Sequence, residues 1–208
     1  MRRVIARVTV ASALLIASGL LLTGCSQVGA AATVGSTKIT QATVQKSIDG
    51  IIAERVKVST AGMTLATGAD LNRSQLRFHL ISVLLGAVAA DEKIAVTKAE
   101  IDTRRATIIT QLGGEANLPK ALVGANIASA DFPEYLQLIL QSEKVAEFAV
   151  ASGVAQADSG TAIQKLVVAK AAKLKVTVNP QYGKWDPITG DVVAADAASP
   201  AASPAATK

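Results

Sequence analysis

The sequence predicts a mainly α domain closed by a small two-stranded β pair that its N- and C-terminal segments form together. Three observations carry that expectation. Apolar residues recur at helical spacing through most of the stretch from residue 40 to residue 175. Two short runs suited to strands, Ala32–Val34 and Val176–Val178, stand at its opposite ends. A lone pair of strands needs a helical surface beneath it, so the two runs are expected to pair with each other over the helices.

The elements follow in order. Ala32–Val34 is an extended segment, Gly35 and Ser36 form a turn, and Lys38 and Ile39 follow it. Thr40 caps a first helix whose buried face is Val44, Ile48, Ile51/Ile52 and Val56. Gly62 and Gly68 mark a loop that carries Met63 and Leu65. Asn72 and Gln75 make a capping-box pattern for a second helix, with Leu76, Leu80, Val83/Leu84 and Ala87/Val88 as its stripe and Ile81 and Leu85 widening it. Asp91, Glu92 and Lys93 end that helix in solvent, a bland reading preferred to an acid–base carboxylate pair. Thr97 and Glu100 repeat the capping box for a more exposed third helix with Ile101, Ile108 and Leu112 inward, and Gly113 and Gly114 stop it.

A short helix is expected around Lys120–Val123. Asp131 caps the next one, with Pro133 tolerated in its first turn and Tyr135, Leu138/Ile139, Ser142, Val145/Ala146 and Ala149 on one face. Residues 151–158 connect it to a last helix capped by Ser159. That helix buries Ile163, Leu166/Val167, Ala171 and Leu174, with Lys173 and Lys175 where the helix dipole favours cations. Pro180 stops the strand that follows. From residue 188 the chain is expected to be a disordered Ala/Ser/Pro tail, because nothing in it can bury a core.

Composition narrows the chemistry. One cysteine in 208 residues leaves no disulfide framework and no multi-thiolate metal site. One histidine, His79, removes most zinc sites and Ser-His-Asp triads, and a histidine beside Phe78 and Leu80 reads as an ordinary helix residue. No cofactor, metal or nucleic-acid partner is expected. The net charge of +5 includes Arg2, Arg3 and Arg7 of the leader, so it falls to +2 if the leader is removed.

Those arginines precede an apolar run of 15 residues from Val8 to Leu22, shorter than the roughly 20 that span a bilayer. A basic start, a short apolar run and small residues after it read as a secretory signal over residues 1–24. Leu22, Thr23, Gly24 and Cys25 then resemble a bacterial lipobox. The resemblance implies a thioether-linked diacylglycerol on Cys25, cleavage before it, and residues 25–31 as a tether to the extracytoplasmic face of the cell membrane. Each buried lipid CH₂ contributes about 0.8 kcal/mol, so two or more acyl chains hold a soluble body firmly.

The opening ATVGSTKIT and the closing run from Val176 to Asp186, VTVNPQYGKWD, resemble the ends of SurA/PrsA-type extracytoplasmic chaperones. The closing pattern in that group is V-x-V-N-P-R-Y-G-x-x-D, and Gln181 stands here in place of the arginine. The resemblance spans roughly residues 31–187 and implies a SurA N-terminal-like helical domain over 32–187 that binds unfolded exported proteins. A parvulin isomerase module often interrupts such domains. Eight residues, 151–158, are far too few for one, and the histidines and glycine-rich motif of an active parvulin are absent.

The expected function is therefore a membrane-anchored holdase, not an enzyme, acting without ATP, metal or covalent steps. The alternatives are an envelope scaffold with one defined partner and a minimal or degenerate prolyl isomerase. Tyr182 and Trp185 are candidates either for contact with unfolded polypeptide or for a clasp onto the helical body, the clasp being preferred. Met63 and Leu65 are candidates for client contact, since methionine adapts to varied partners.

Overall fold

A computed structural model describes residues 28–196. Cys25, with Leu22, Thr23 and Gly24 before it, lies outside the described residues, as does the chain beyond 196. The body is mainly helical, with two small antiparallel sheets.

Strands β1 (Ala30–Val34) and β2 (Thr37–Thr40) form a hairpin around Gly35, whose φ of +59° a glycine adopts without strain. On its other edge β1 pairs antiparallel with β3 (Val176–Val178), in the register Ala32 to Val178, Thr33 to Thr177 and Val34 to Val176. The two terminal runs thus meet as their sequence suggests, in a sheet of three strands, not two. Asn179 prolongs the pairing by donating its backbone N–H to the Ala31 carbonyl (2.9 Å) and its side-chain amide to that of Ala30 (3.2 Å). Ala30 and Ala31, assigned above to the tether, are strand residues, and Ala31 is fully buried. Alanine is a poor strand former. Here its small side chain lets a central strand sit tight against the helices.

Thr40 caps α1 (Gln41–Arg55) through its hydroxyl, which accepts the Thr43 N–H at 3.0 Å. Val44, Ile48 and Ile51 turn inward, whereas Ile52 and Val56, expected on the same face, are exposed. The last turn of α1 has outrun the core. Next comes α2 (Gly68–Asp91), the helix around which α1, α5, α6 and the three-stranded sheet pack. It begins four residues before Asn72, so the capping box expected at Asn72 and Gln75 does not form. Leu71 is 2% exposed, and burying it extends the helix toward its N-terminus.

The third helix, α3 (Lys98–Gln111), has the full reciprocal capping box of Thr97 and Glu100. A 3-10 turn at Glu115–Asn117 leads into α4 (Leu118–Gly124), another at Ser129–Asp131 into α5 (Phe132–Ala151), and a third at Gln156–Asp158 into α6 (Ser159–Leu174). The side chains of Asp131 and Ser159 do not cap α5 and α6 as expected. The Asp131 carboxylate makes no cap bond, and the Ser159 hydroxyl donates back to the Gln156 carbonyl. The final hairpin, β4 (Lys184–Asp186) and β5 (Asp191–Val193), carries ordered structure past residue 188, where only a tail was expected. The buried carboxylate of Asp186 builds its turn by accepting the Ile188 N–H (2.8 Å) and the Thr189 hydroxyl (2.9 Å).

Two apolar clusters result. The larger lies between the three-stranded sheet and α1, α2, α5 and α6. The smaller, around Leu118, Leu122, Ile127, Phe132 and Leu136, lies under α3, which contributes no fully buried residue.

Two predictions follow from this architecture. Gly183 has φ +128° and ψ −153°, and a Cβ there would lie 2.2 Å from the Val193 carbonyl oxygen. Gly183→Ala should therefore cost at least about 1–3 kcal/mol and lower the melting temperature; an unchanged melting curve would refute the close approach of β4 and β5. The second concerns α3. A hydrogen bond from Lys144, then those from the Thr97 backbone and hydroxyl, lower the Glu100 pKa from 4.5 to about 2. The folded value lies below the ordinary one, so this stabilisation is complete above pH 4.5 and lost as the pH falls toward 2. Residue-resolved NMR should show α3 loosening over that range before α2, and Glu100→Gln should remove the pH dependence of that step. Simultaneous loss of both helices would contradict it.

Candidate functional site

A cleft of about 370 Å³ lies between the first half of α2, the 124–131 segment and the start of α5. That volume is at the lower end of the roughly 300–1,000 Å³ of small-ligand sites. Phe78, Ile81, Ile127, Tyr135 and Leu138 give it apolar walls, and Ser74, Gln75, Arg77, Asn126 and Asp131 supply polar groups. It lies on the seam between the two clusters. Ile81 and Leu138 pack against the larger, Ile127 and Tyr135 belong with the smaller, and the space between is not filled.

A polar hub fixes the wall of the cleft. Asn126 takes a left-handed conformation, φ +55°, directly after α4. The Asn126 N–H donates to the Val123 carbonyl (3.1 Å) and the Ile127 N–H to that of Leu122 (3.0 Å), the two bonds of a Schellman ending. Ile127 and Leu122 share the smaller cluster, which supplies the hydrophobic contact of that motif. Two side chains then seize Asn126. Arg55 donates to its Oδ1 (2.6 Å) while also donating to the Ala66 carbonyl (2.8 Å), and the buried Gln75 donates to its carbonyl (2.9 Å). Glu54 accepts the Ser129 N–H at 3.1 Å. The end of α1, the start of α2 and the 124–131 segment are thus tied at one point.

One turn further along α2, His79 joins three helices. Its Nε2 lies 2.9 Å from the Ser47 hydroxyl of α1, and its Nδ1 lies 3.5 Å from Oε1 of Glu134 on α5. Burial raises the Glu134 pKa, but the hydrogen bond and charge of His79 outweigh it, with a smaller contribution from Ser82, and hold the carboxyl below its ordinary value. The order serine, histidine, carboxylate is that of a nucleophilic triad. Ser47 is 2% exposed and His79 6%, so the hydroxyl has no surface from which to meet a substrate. The arrangement is a structural link that satisfies buried polar groups.

Of the candidate contact residues, Tyr182 is buried in the larger cluster and Trp185 packs against it. Arg77 of α2 pairs with Asp191 of β5 at 2.8 Å, so the terminal hairpin is fastened to the helix that carries the cleft. Met63 is partly buried with its Sδ and Cε near Gly124, and Leu65 is partly buried nearby in the same loop. None of these four lines the cleft. Asp91 forms an ion pair with Lys170 of α6, which lowers its pKa. Phe78, Asp131 and Tyr135 do line the cleft, and sequence reasoning did not single them out for binding. A signal existed for the wall alone, since Asn126 closely follows a short helix and asparagine accepts the left-handed position that ends one.

Among the described residues, no group of three or more His, Cys, Asp or Glu side chains could hold a metal ion, and no helix is long and apolar enough to cross a membrane. No family model, curated protein or solved structure matches the chain.

Ser47→Ala tests the link. It leaves a buried ring nitrogen of His79 without its partner, at a cost of about 1–3 kcal/mol. The melting temperature should fall by about 2–4 °C for each kcal/mol lost. A melting point equal to that of the native chain would show that the bond does not hold α1 to α2.

Proposed function

We propose that this chain is an extracytoplasmic lipoprotein, anchored through Cys25, whose helical body holds apolar segments of exported polypeptides in the manner of a SurA/PrsA-like domain without an isomerase module. The observation that carries the reading is the cleft between α2 and α5, where Phe78 and Tyr135 are only partly buried between two separate cores. The signal-like leader and the position of Cys25 support the location. The two chain ends support the kind of domain.

Capture of this kind uses area, not chemistry. Burying one large apolar side chain contributes about 1.5–3 kcal/mol, whereas millimolar affinity corresponds to roughly 4 kcal/mol. A single cleft therefore binds weakly and releases quickly, as a holdase requires if its clients are to fold. Anchoring places many copies on one surface, and a long unfolded chain then engages several of them at a raised effective concentration. The fastened Tyr182/Trp185 segment belongs to the clasp in this reading, and the client meets α2 and α5.

The test is suppression of aggregation by the chain from residue 26 onward, measured by light scattering with two unrelated unfolded proteins. The expected result is a delay with both, weakened at least threefold in Phe78→Ala/Tyr135→Ala while the circular dichroism spectrum stays native. No delay with either protein at stoichiometric excess would overturn the reading. Tight binding to one folded envelope protein instead would favour a scaffold.

A further inference from the structure

The cleft is not purely apolar, and its one acidic side chain is left uncompensated. Asp131 lines it at the foot of α5, and its Oδ2 is buried with no hydrogen-bond partner. The usual employment for an aspartate at this position, capping the helix, is not taken up. The cation on the cleft wall, Arg77, is paired with Asp191 at 2.8 Å. A carboxylate partly withdrawn from water gains most from a charged donor that enters with it. The neighbours suit such a donor. Phe78 and Tyr135 offer aromatic surface over which a guanidinium is attracted, and Ile81 and Leu138 offer apolar wall for its methylene stem.

We infer that the cleft selects polypeptide segments in which an arginine adjoins an apolar residue, the guanidinium docking on Asp131 while the apolar side chain fills the seam between the two clusters. The inference rests on the client-capture reading for the kind of ligand and on the cleft alone for its selectivity. The volume, about 370 Å³, suits one or two side chains and not a folded surface. Arginine is preferred to lysine because its planar fork can face the carboxylate and an aromatic ring together.

The experiment compares two fluorescent peptides of otherwise identical sequence, one with Phe-Arg at its centre and one with Phe-citrulline, its neutral isostere. Binding to the chain from residue 26 onward is read by anisotropy. The arginine peptide should bind at least fivefold more tightly. Asp131→Asn should bring its affinity down to that of the citrulline peptide, with a melting temperature no lower than the native one. Phe78→Ala should weaken both peptides, the arginine peptide more, because it loses the ring under its guanidinium as well as the apolar wall. Equal affinities in the native chain, or a preference that survives Asp131→Asn, would overturn the selectivity. So would failure of both peptides to bind at millimolar concentration. Aggregation suppression measured on the same preparations separates the two ideas. If it persists while the peptides are not distinguished, client capture stands and the role of Asp131 falls.

Discussion

The antiparallel pairing of β1 with β3 is the constraint on which the rest of the molecule depends. It joins Thr33 to Thr177, whose hydroxyls meet at 2.6 Å, across nearly the whole folded chain. Closing so long a loop is entropically costly, although the cost rises only slowly with length. It is offset because the closure lays a strand of small, buried residues against α2 and returns α6 to α2's side. The residues after β3 are then positioned to fold back. Tyr182 enters the core, the glycine at 183 allows β4 to approach β5, and Arg77 fastens the hairpin to α2.

That closure organises the half of the body near the termini and leaves the other half to a second arrangement. The α3–α4 region sits over the first turns of α5, around its own apolar cluster, and Arg104–Glu143 and Lys144–Glu100 ion pairs tie α3 to α5. The two cores share α5 but do not merge between α2 and the start of α5. The polar hub at Asn126 holds the intervening segment in place and prevents collapse into the gap, because moving it would break partly buried hydrogen bonds from Arg55 and Gln75. The cleft is therefore a consequence of how the cores are divided, and its persistence depends on polar groups, not apolar ones.

Much of this was legible in the sequence. Helical periodicity located the longer α-helices among the described residues, because each packs an apolar stripe against a neighbour. Thr40 and the Thr97–Glu100 pair marked starts that depend only on local hydrogen bonds. The pairing of the two ends followed from neither run being stable alone, although β2, the further partner of β1, was not expected. What failed was set by tertiary context. Ala30 and Ala31 look like a linker and become a strand because a central position needs small side chains. Gln75 looks like half of a capping box and instead reaches 51 residues along the chain to Asn126. Ile52 and Val56 keep the helical spacing but extend beyond the core they were expected to meet. The cleft was not legible, since a gap between two cores has no sequence period, and Phe78 is brought to Asp131 and Tyr135 only by the packing of α2 against α5.

The central claim is that the seam between α2 and α5 receives unfolded polypeptide, and an NMR titration of the labelled chain with an unfolded, non-aggregating client tests it most directly. The account predicts chemical-shift changes concentrated on Phe78, Ile81, Ile127, Tyr135 and Leu138, in fast exchange, with the β1–β3 pair undisturbed. Changes confined to the exposed Ile52 of α1 and Val56 just after it, or none at saturating client, would contradict it.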